Sequence, residues 1–309
     1  MIPASVDVRS TVRGAKDPVL VGPTEAIWAT RTPDGIGTLT MAGRTNDQAD
    51  DGAATITIGA EAWGPGAEWL LDQAPRLLGQ DDDPTGFEPV GKVRELWRRK
   101  PFLLARTDRP WDALIGAVFG QKVQTANAVK SRRALARRLG ERAPGPQGVW
   151  VLPAPETVAR LGYHEFHPLG VERKRAEILI RVAREMPRLQ RHFDEARGWS
   201  QRSGEPSPAP ELEARLRGIR GIGPWTAAMV TATTIGDPDA VPIGDYHIPN
   251  TIAWLLAGEP RATDARMLEL LEPYAGHRWR VIRLAKSSTH APRYGPKMSL
   301  TGDGLHRGR

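Results

Sequence analysis

The residues best placed to act together run from Leu216 to Ala228, as Leu216-Arg217-Gly218-Ile219-Arg220-Gly221-Ile222-Gly223-Pro224-Trp225-Thr226-Ala227-Ala228. The pattern predicts two helices joined by a tight turn. Gly221 and Gly223 permit backbone conformations and close approaches closed to other residues, and Pro224 suits the start of the second helix. Such a turn leaves backbone N–H groups at a helix N-terminus, where free donors and partial positive charge receive a phosphate. Leu216, Ile219 and Ile222 are expected to pack the two helices together. The same string also reads as an ordinary helical hairpin, because Gly-x-Gly turns are common. Asp245 follows Pro242-Ile243-Gly244 and precedes Tyr246; judged locally it is a helix cap, a role aspartate fills often. His164 and His167 share a helix face, but with only Glu165 beside them they read as structural rather than as a metal site.

Several elements are needed to position these residues. Alternating, β-branched segments at 27–30, 38–41 and 55–58 predict strands, separated by Pro33-Asp34-Gly35 and a loop at 46–52. A helix is expected at 67–78, followed by an acidic linker at 80–86 that looks too polar to pack. From Val93 the periodicity becomes helical. Asp108 is placed to N-cap a helix carrying Pro110 in its first turn. Basic amphipathic helices follow at 130–139 and 173–186, then helices at 211–219, 224–234, 246–257, 265–271 and 279–286. These divide the chain into an accessory α/β domain (1–90), a helical domain (91–290) with the hairpin at 211–234, and a loose tail (291–309). The predicted class is α+β: an antiparallel-sheet domain, then an all-α part in two subdomains with a cleft between them.

Charge is unevenly spread. The net charge is +7, yet residues 1–90 carry 6 Lys and Arg against 14 Asp and Glu, and the remainder carries 37 against 22. A basic block behind an acidic one favours a polyanionic partner, and an arginine-rich solvated surface would look the same. With no cysteine in the chain, disulfides, thiolate catalysis and iron–sulfur clusters are excluded. The absence of a long apolar run or secretory leader predicts a soluble cytoplasmic protein without a membrane partner. A monomer is the default expectation.

Gly221-Ile222-Gly223-Pro224-Trp225-Thr226-Ala227 resembles the hairpin of the helix-hairpin-helix (HhH-GPD) DNA glycosylase superfamily, in particular its DNA-3-methyladenine glycosylase II (AlkA-like) group. That group places a catalytic aspartate after a Gly/Pro-rich connection, and Pro242-Ile243-Gly244-Asp245-Tyr246 fits, with Asp245 22 positions beyond Gly223. Pro110-Trp111-Asp112-Ala113-Leu114 and Phe119-Gly120-Gln121 resemble the group's first core helix and the loop entering the DNA minor groove. His167-Pro168-Leu169-Gly170 adds a weaker match. Together these span roughly residues 108–286.

The resemblance implies a monofunctional base excision enzyme acting on duplex DNA. The damaged base, in this group an alkylated one, is flipped from the stack, and Asp245 stabilises the oxocarbenium-like sugar as the N-glycosidic bond breaks. Bifunctional relatives carry a Schiff-base lysine two positions after the second hairpin glycine; here that position holds Trp225, which is expected to stack on the base. Met229 and Lys286 fall near positions where the group has pocket aromatics. Gln121 and Lys122 take the wedge positions, and Gly221, Gly223, Thr226 and Lys130 are expected to contact DNA. No cofactor is required, although a sodium or potassium ion at the carbonyls of Arg217, Ile219 and Ile222 would fit the group. The alternatives are the same scaffold acting on deaminated, oxidised or bulky adducted bases, and a non-catalytic DNA-binding module. A pure binder needs the hairpin but not Asp245.

Overall fold

A computed structural model of the chain describes residues 25–46 and 55–292. The expected loop at 46–52 and tail at 291–309 lie almost entirely outside these residues. Strands β1 (Glu25–Thr32), β2 (Gly35–Asn46) and β3 (Thr55–Trp63) form one antiparallel sheet in the order β1-β2-β3. Alternation puts Ala26, Trp28, Leu39 and Met41 on one face, and α1 (Ala67–Leu77) covers it with Trp69, Leu70, Ala74 and Leu77. These residues form a small core of their own.

The helical part begins with α2 (Gly91–Arg99), α3 (Pro110–Phe119) and α4 (Thr125–Leu139). A two-stranded ribbon of β4 (Glu141–Arg142) and β5 (Trp150–Val151) follows. Then come α5 (Arg173–Glu195), α6 (Ala209–Arg217), α7 (Pro224–Thr234), α8 (Ile248–Ala257), α9 (Asp264–Leu271) and α10 (Arg278–Ser288). Helix α3 lies innermost: Trp111, Leu114, Ile115, Val118 and Phe119 are all buried, with α5 and α7 packed against it. One continuous apolar core runs from Phe87 to Ala285. Helix α5 outruns its expected end at 186 despite Pro187, because Leu189 and Phe193 carry the buried stripe onward.

Two expectations need correction. The acidic segment 80–86 is not a solvated linker: Asp82 is fully buried, pairs with both terminal nitrogens of Arg280 at 2.7 and 2.8 Å, and accepts the Leu104 N–H at 2.8 Å. A cation 198 residues away offsets the desolvation that the local composition implies. Asp108 does not cap α3, whose N-cap is Arg109 with no side-chain hydrogen bond. It is buried at a left-handed φ of 50° and bonds Arg106 Nε at 2.7 Å and Arg76 Nη1 at 3.1 Å. Inward-facing arginines win this carboxylate because Pro110 has already removed one of the donors a cap would serve.

The sheet domain is docked rather than tethered. Arg31 pairs with Glu141 and donates to the Leu152 carbonyl at 3.1 Å; Thr38 donates to the Pro144 carbonyl at 2.6 Å. The Thr30 hydroxyl donates to Asp112 on α3, and burial pushes that carboxyl above its usual range.

Candidate active site

The hairpin forms as expected, with Leu216, Ile219 and Ile222 buried between α6 and α7. Gly221 sits at φ 101°, and a Cβ there would stand 2.5 Å from Ile178 Cγ1 on α5. Only glycine lets the turn lie against that helix. Arg181, one turn further along α5, donates to the Arg220 carbonyl at 2.6 Å. Gly223 differs: its φ of −97° is ordinary and nothing lies within 4 Å of where a Cβ would project. The expectation of an unusual backbone at Gly223 is therefore incorrect, and its missing side chain leaves open space at the start of α7. There Pro224 supplies no N–H and takes the first helical position, followed by Trp225 and Thr226 in the first turn.

Asp245 stands in the connection between α7 and α8. The connection is fixed from below by Asp239, which pairs with Arg278 and accepts the N–H groups of Gly276 and Arg278 at 2.8 and 3.2 Å. At Asp245, one carboxylate oxygen accepts the N–H groups of His247 and Ile248 at 2.8 and 2.9 Å. The other accepts Trp225 Nε1 at 2.8 Å. The carboxylate thus caps the first turn of α8 and also faces the hairpin. The two readings of this residue are compatible, because its oxygens divide the work.

Trp225 is half-buried, with its ring edge against Gly120, where a Cβ would be 3.2 Å from Cη2. Gln121 reaches across to the hairpin as well, donating to the Gly221 carbonyl at 3.1 Å and to Thr226 Oγ1 at 3.0 Å. The Thr226 hydroxyl is buried and accepts from Gln121, so a contact from Thr226 to DNA would run through its backbone. Lys122 is exposed at a left-handed φ of 51°. Lys130 is exposed on α4. Met229 is buried one turn beyond Trp225.

Lys286, near the end of α10, shares an electrostatic environment with Asp245. Desolvation holds its ammonium below the ordinary lysine range, Asp245 opposes that shift, and Arg283 adds to it. A second buried carboxylate lies elsewhere. Asp237 is pushed up to about 7 by burial beneath α6 and α7, with Glu213 nearby and Thr231 bridging the two. Sealed from solvent, it is a structural group. Sequence reasoning also passed over Tyr246, which is 84% exposed and stacks edge-on against His247 at 4.9 Å. Its type was visible, but its exposure beside Asp245 was not. Among the described residues no group of three or more acidic or histidine side chains could hold a metal, and no helix is long and apolar enough to cross a membrane.

Residues 115–275 match the HhH-GPD superfamily of base excision DNA repair proteins. The chain is 26% identical over 227 residues to a DNA-3-methyladenine glycosylase of Bacillus subtilis (strain 168), covering 68% of this chain and 70% of that protein. The 3-methyladenine DNA-glycosylase from Archaeoglobus fulgidus has a similar fold, with a TM-score of 0.66 at 16% identity over 91% of this chain and 94% of that one. So has the Clostridium acetobutylicum 8-oxoguanine glycosylase/lyase in complex with DNA containing cytosine opposite 8-oxoguanine (TM-score 0.64, 10% identity, 91% and 90% covered).

Proposed function

The chain belongs to the HhH-GPD superfamily of base excision DNA repair proteins, and on that premise we propose that it is a monofunctional DNA glycosylase that hydrolyses the N-glycosidic bond of damaged, chiefly alkylated, bases flipped out of duplex DNA. The observation that carries this reading is the Trp225–Asp245 hydrogen bond at 2.8 Å. It occupies the hairpin position from which bifunctional relatives present an amine, and it fixes a carboxylate instead. As the bond from C1′ to the base breaks, the pair of electrons leaves with the base and the sugar becomes cationic. A pre-oriented carboxylate stabilises that charge and steers water to C1′. The preference for alkylated bases draws on the name of the Bacillus relative; the fold alone also houses an 8-oxoguanine enzyme.

DNA is held, in this reading, by the open start of α7, where Gly223 leaves room for a phosphate to approach the positive end of the helix. Lys122 and Lys130 add positive charge, and Lys122 is the wedge. The carbonyls of Arg217, Ile219 and Ile222 are neutral donors in one turn, a set suited to sodium or potassium rather than to a divalent ion; the Ile219 oxygen already accepts the Ile222 N–H at 2.9 Å and keeps a second lone pair. Hydrolysis requires no ion there.

The test is Asp245→Asn assayed on duplexes carrying 3-methyladenine, 7-methylguanine, hypoxanthine, uracil or 8-oxoguanine. The variant is expected to lose base release while binding DNA within a few-fold of the unmodified protein, and borohydride should trap no covalent adduct with either. Undiminished release by the variant would overturn the role of Asp245, and a trapped adduct would overturn the hydrolytic assignment.

A further inference from the structure

The turn after α3 and the hairpin, both assigned to DNA in the proposed function, are joined by one side chain. The Gln121 amide nitrogen donates to the Gly221 carbonyl at 3.1 Å and to Thr226 Oγ1 at 3.0 Å. A carbonyl oxygen can only accept, so the amide nitrogen must face it, and each amide proton has an acceptor on the hairpin. Gln121 is held at its own end too, because its backbone N–H donates to the Val118 carbonyl of α3 at 3.2 Å. The two acceptors flank the start of α7: Gly221 lies in the turn against Ile178 of α5, and Thr226 lies in the first helical turn. On one side of Gln121, Gly120 lies against the Trp225 ring, whose Nε1 holds Asp245 at 2.8 Å. On the other side stands Lys122, the exposed wedge of the proposed function.

We propose that Gln121 is a positioning residue rather than a DNA contact. It sets the wedge loop at a fixed distance from the hairpin, so that a duplex gripped at the hairpin meets Lys122 in the register that delivers the displaced base to Asp245. This inference rests on the glycosylase reading above. The hairpin grips a phosphate and the wedge fills the gap that the base leaves, so extrusion needs both at once. With the link in place their spacing is set before DNA arrives; without it, that order must be imposed during the reaction. Gripping the backbone needs the hairpin alone and keeps its strength. Extrusion and bond cleavage need both segments and slow down. A glutamine that instead read the minor groove would have to leave the Gly221 carbonyl and the buried Thr226 hydroxyl, at the cost of both hydrogen bonds.

The experiment is a double-mutant cycle of Gln121→Ala and Thr226→Val in the full chain. Single-turnover release at saturating enzyme and duplex affinity by anisotropy are measured on whichever duplex of the panel above is processed fastest. Gln121→Ala should slow release by about tenfold, the order expected for its hydrogen bonds, and leave Kd within about threefold. Thr226→Val should slow release as well, and the double variant should match Gln121→Ala within about twofold, because both changes remove the same link. A Kd that weakens in step with the rate, or effects of the two substitutions that multiply, would show that Gln121 acts on the DNA and would overturn the proposal. Release by Gln121→Ala within about twofold of the unmodified protein would overturn it too. Extrusion is also read without bond cleavage, from the fluorescence rise of 2-aminopurine placed at the target position, which Gln121→Ala should diminish. If the unmodified protein releases no base of the panel, the glycosylase reading fails. The 2-aminopurine signal still decides on Gln121, since an equal rise with both proteins, or none with the unmodified one, would overturn its role.

Discussion

At Asp245 the two carboxylate oxygens have different partners, and this division gives the residue a fixed orientation. One oxygen is held by two backbone N–H groups at the head of α8, the other by the Trp225 indole. Trp225 was expected to act through its ring face, as a platform for the flipped base. Its N–H proves to be the more specific handle, since it ties the hairpin to the carboxylate. Hydrogen bonds to charged groups are worth about 1.5–3 kcal/mol, so Trp225→Phe should slow base release by about 10- to 100-fold. Single-turnover rates at saturating enzyme would measure it. A rate within twofold of the unmodified protein would show that the backbone donors alone orient Asp245.

At the scale of elements, the two hairpin glycines serve different ends although their spacing makes them look alike. Gly221 is demanded by the fold, through its φ of 101° and its contact with Ile178 on α5. Gly223 is demanded by nothing in the protein, and in the proposed function its open space belongs to DNA. Gly221→Ala should therefore destabilise the chain by about 1–3 kcal/mol, the cost of overpacking and of left-handed strain. Gly223→Ala should melt within about a degree of the unmodified protein, because surface changes of this kind stay within about 0.5 kcal/mol, yet bind duplex DNA more weakly. Thermal melting and fluorescence anisotropy on the pair would check both. Equal stability losses would mean that the turn, rather than the ligand, needs both glycines. The hairpin elements themselves were legible because Gly, Pro and the apolar spacing act locally. The Gln121 tether to Gly221 and Thr226 was not, since it joins residues 100 and 105 positions apart.

At the scale of the molecule, the buried pair of Asp82 and Arg280 links the segment after the sheet domain to the last helix. Removing one partner of such a pair leaves an uncompensated buried charge, which costs about 3–5 kcal/mol. Arg280→Met should lower stability by that amount, and Asp82→Asn combined with it should recover part of the loss; urea denaturation would measure both. A single-variant loss below about 1 kcal/mol would contradict the weight given to this pair. The contacts of Arg31, Thr30 and Thr38 dock the sheet on the helical part from the other side.

The sequence by itself determined the three strands of the sheet domain, the main helices, the hairpin, and the distance from Gly223 to Asp245, because these follow from local conformational preference and fixed spacing along the chain. It did not determine the β4–β5 ribbon, since a two-residue strand does not follow from them. Tertiary structure alone decided the fate of polar and ionisable side chains. Asp82 looks like a linker residue until Arg280 of α10 meets it, and Asp108 looks like a cap until Arg106 beside it and Arg76 of α1 take its carboxylate. Thr226 and Met229 are buried, while Asp245 acts on the charge of Lys286 across 41 positions of chain. The physical reason is common to all of them. The free energy of a charge or hydrogen-bonding group depends on which partners replace its water, and those partners are chosen by packing between elements remote in sequence.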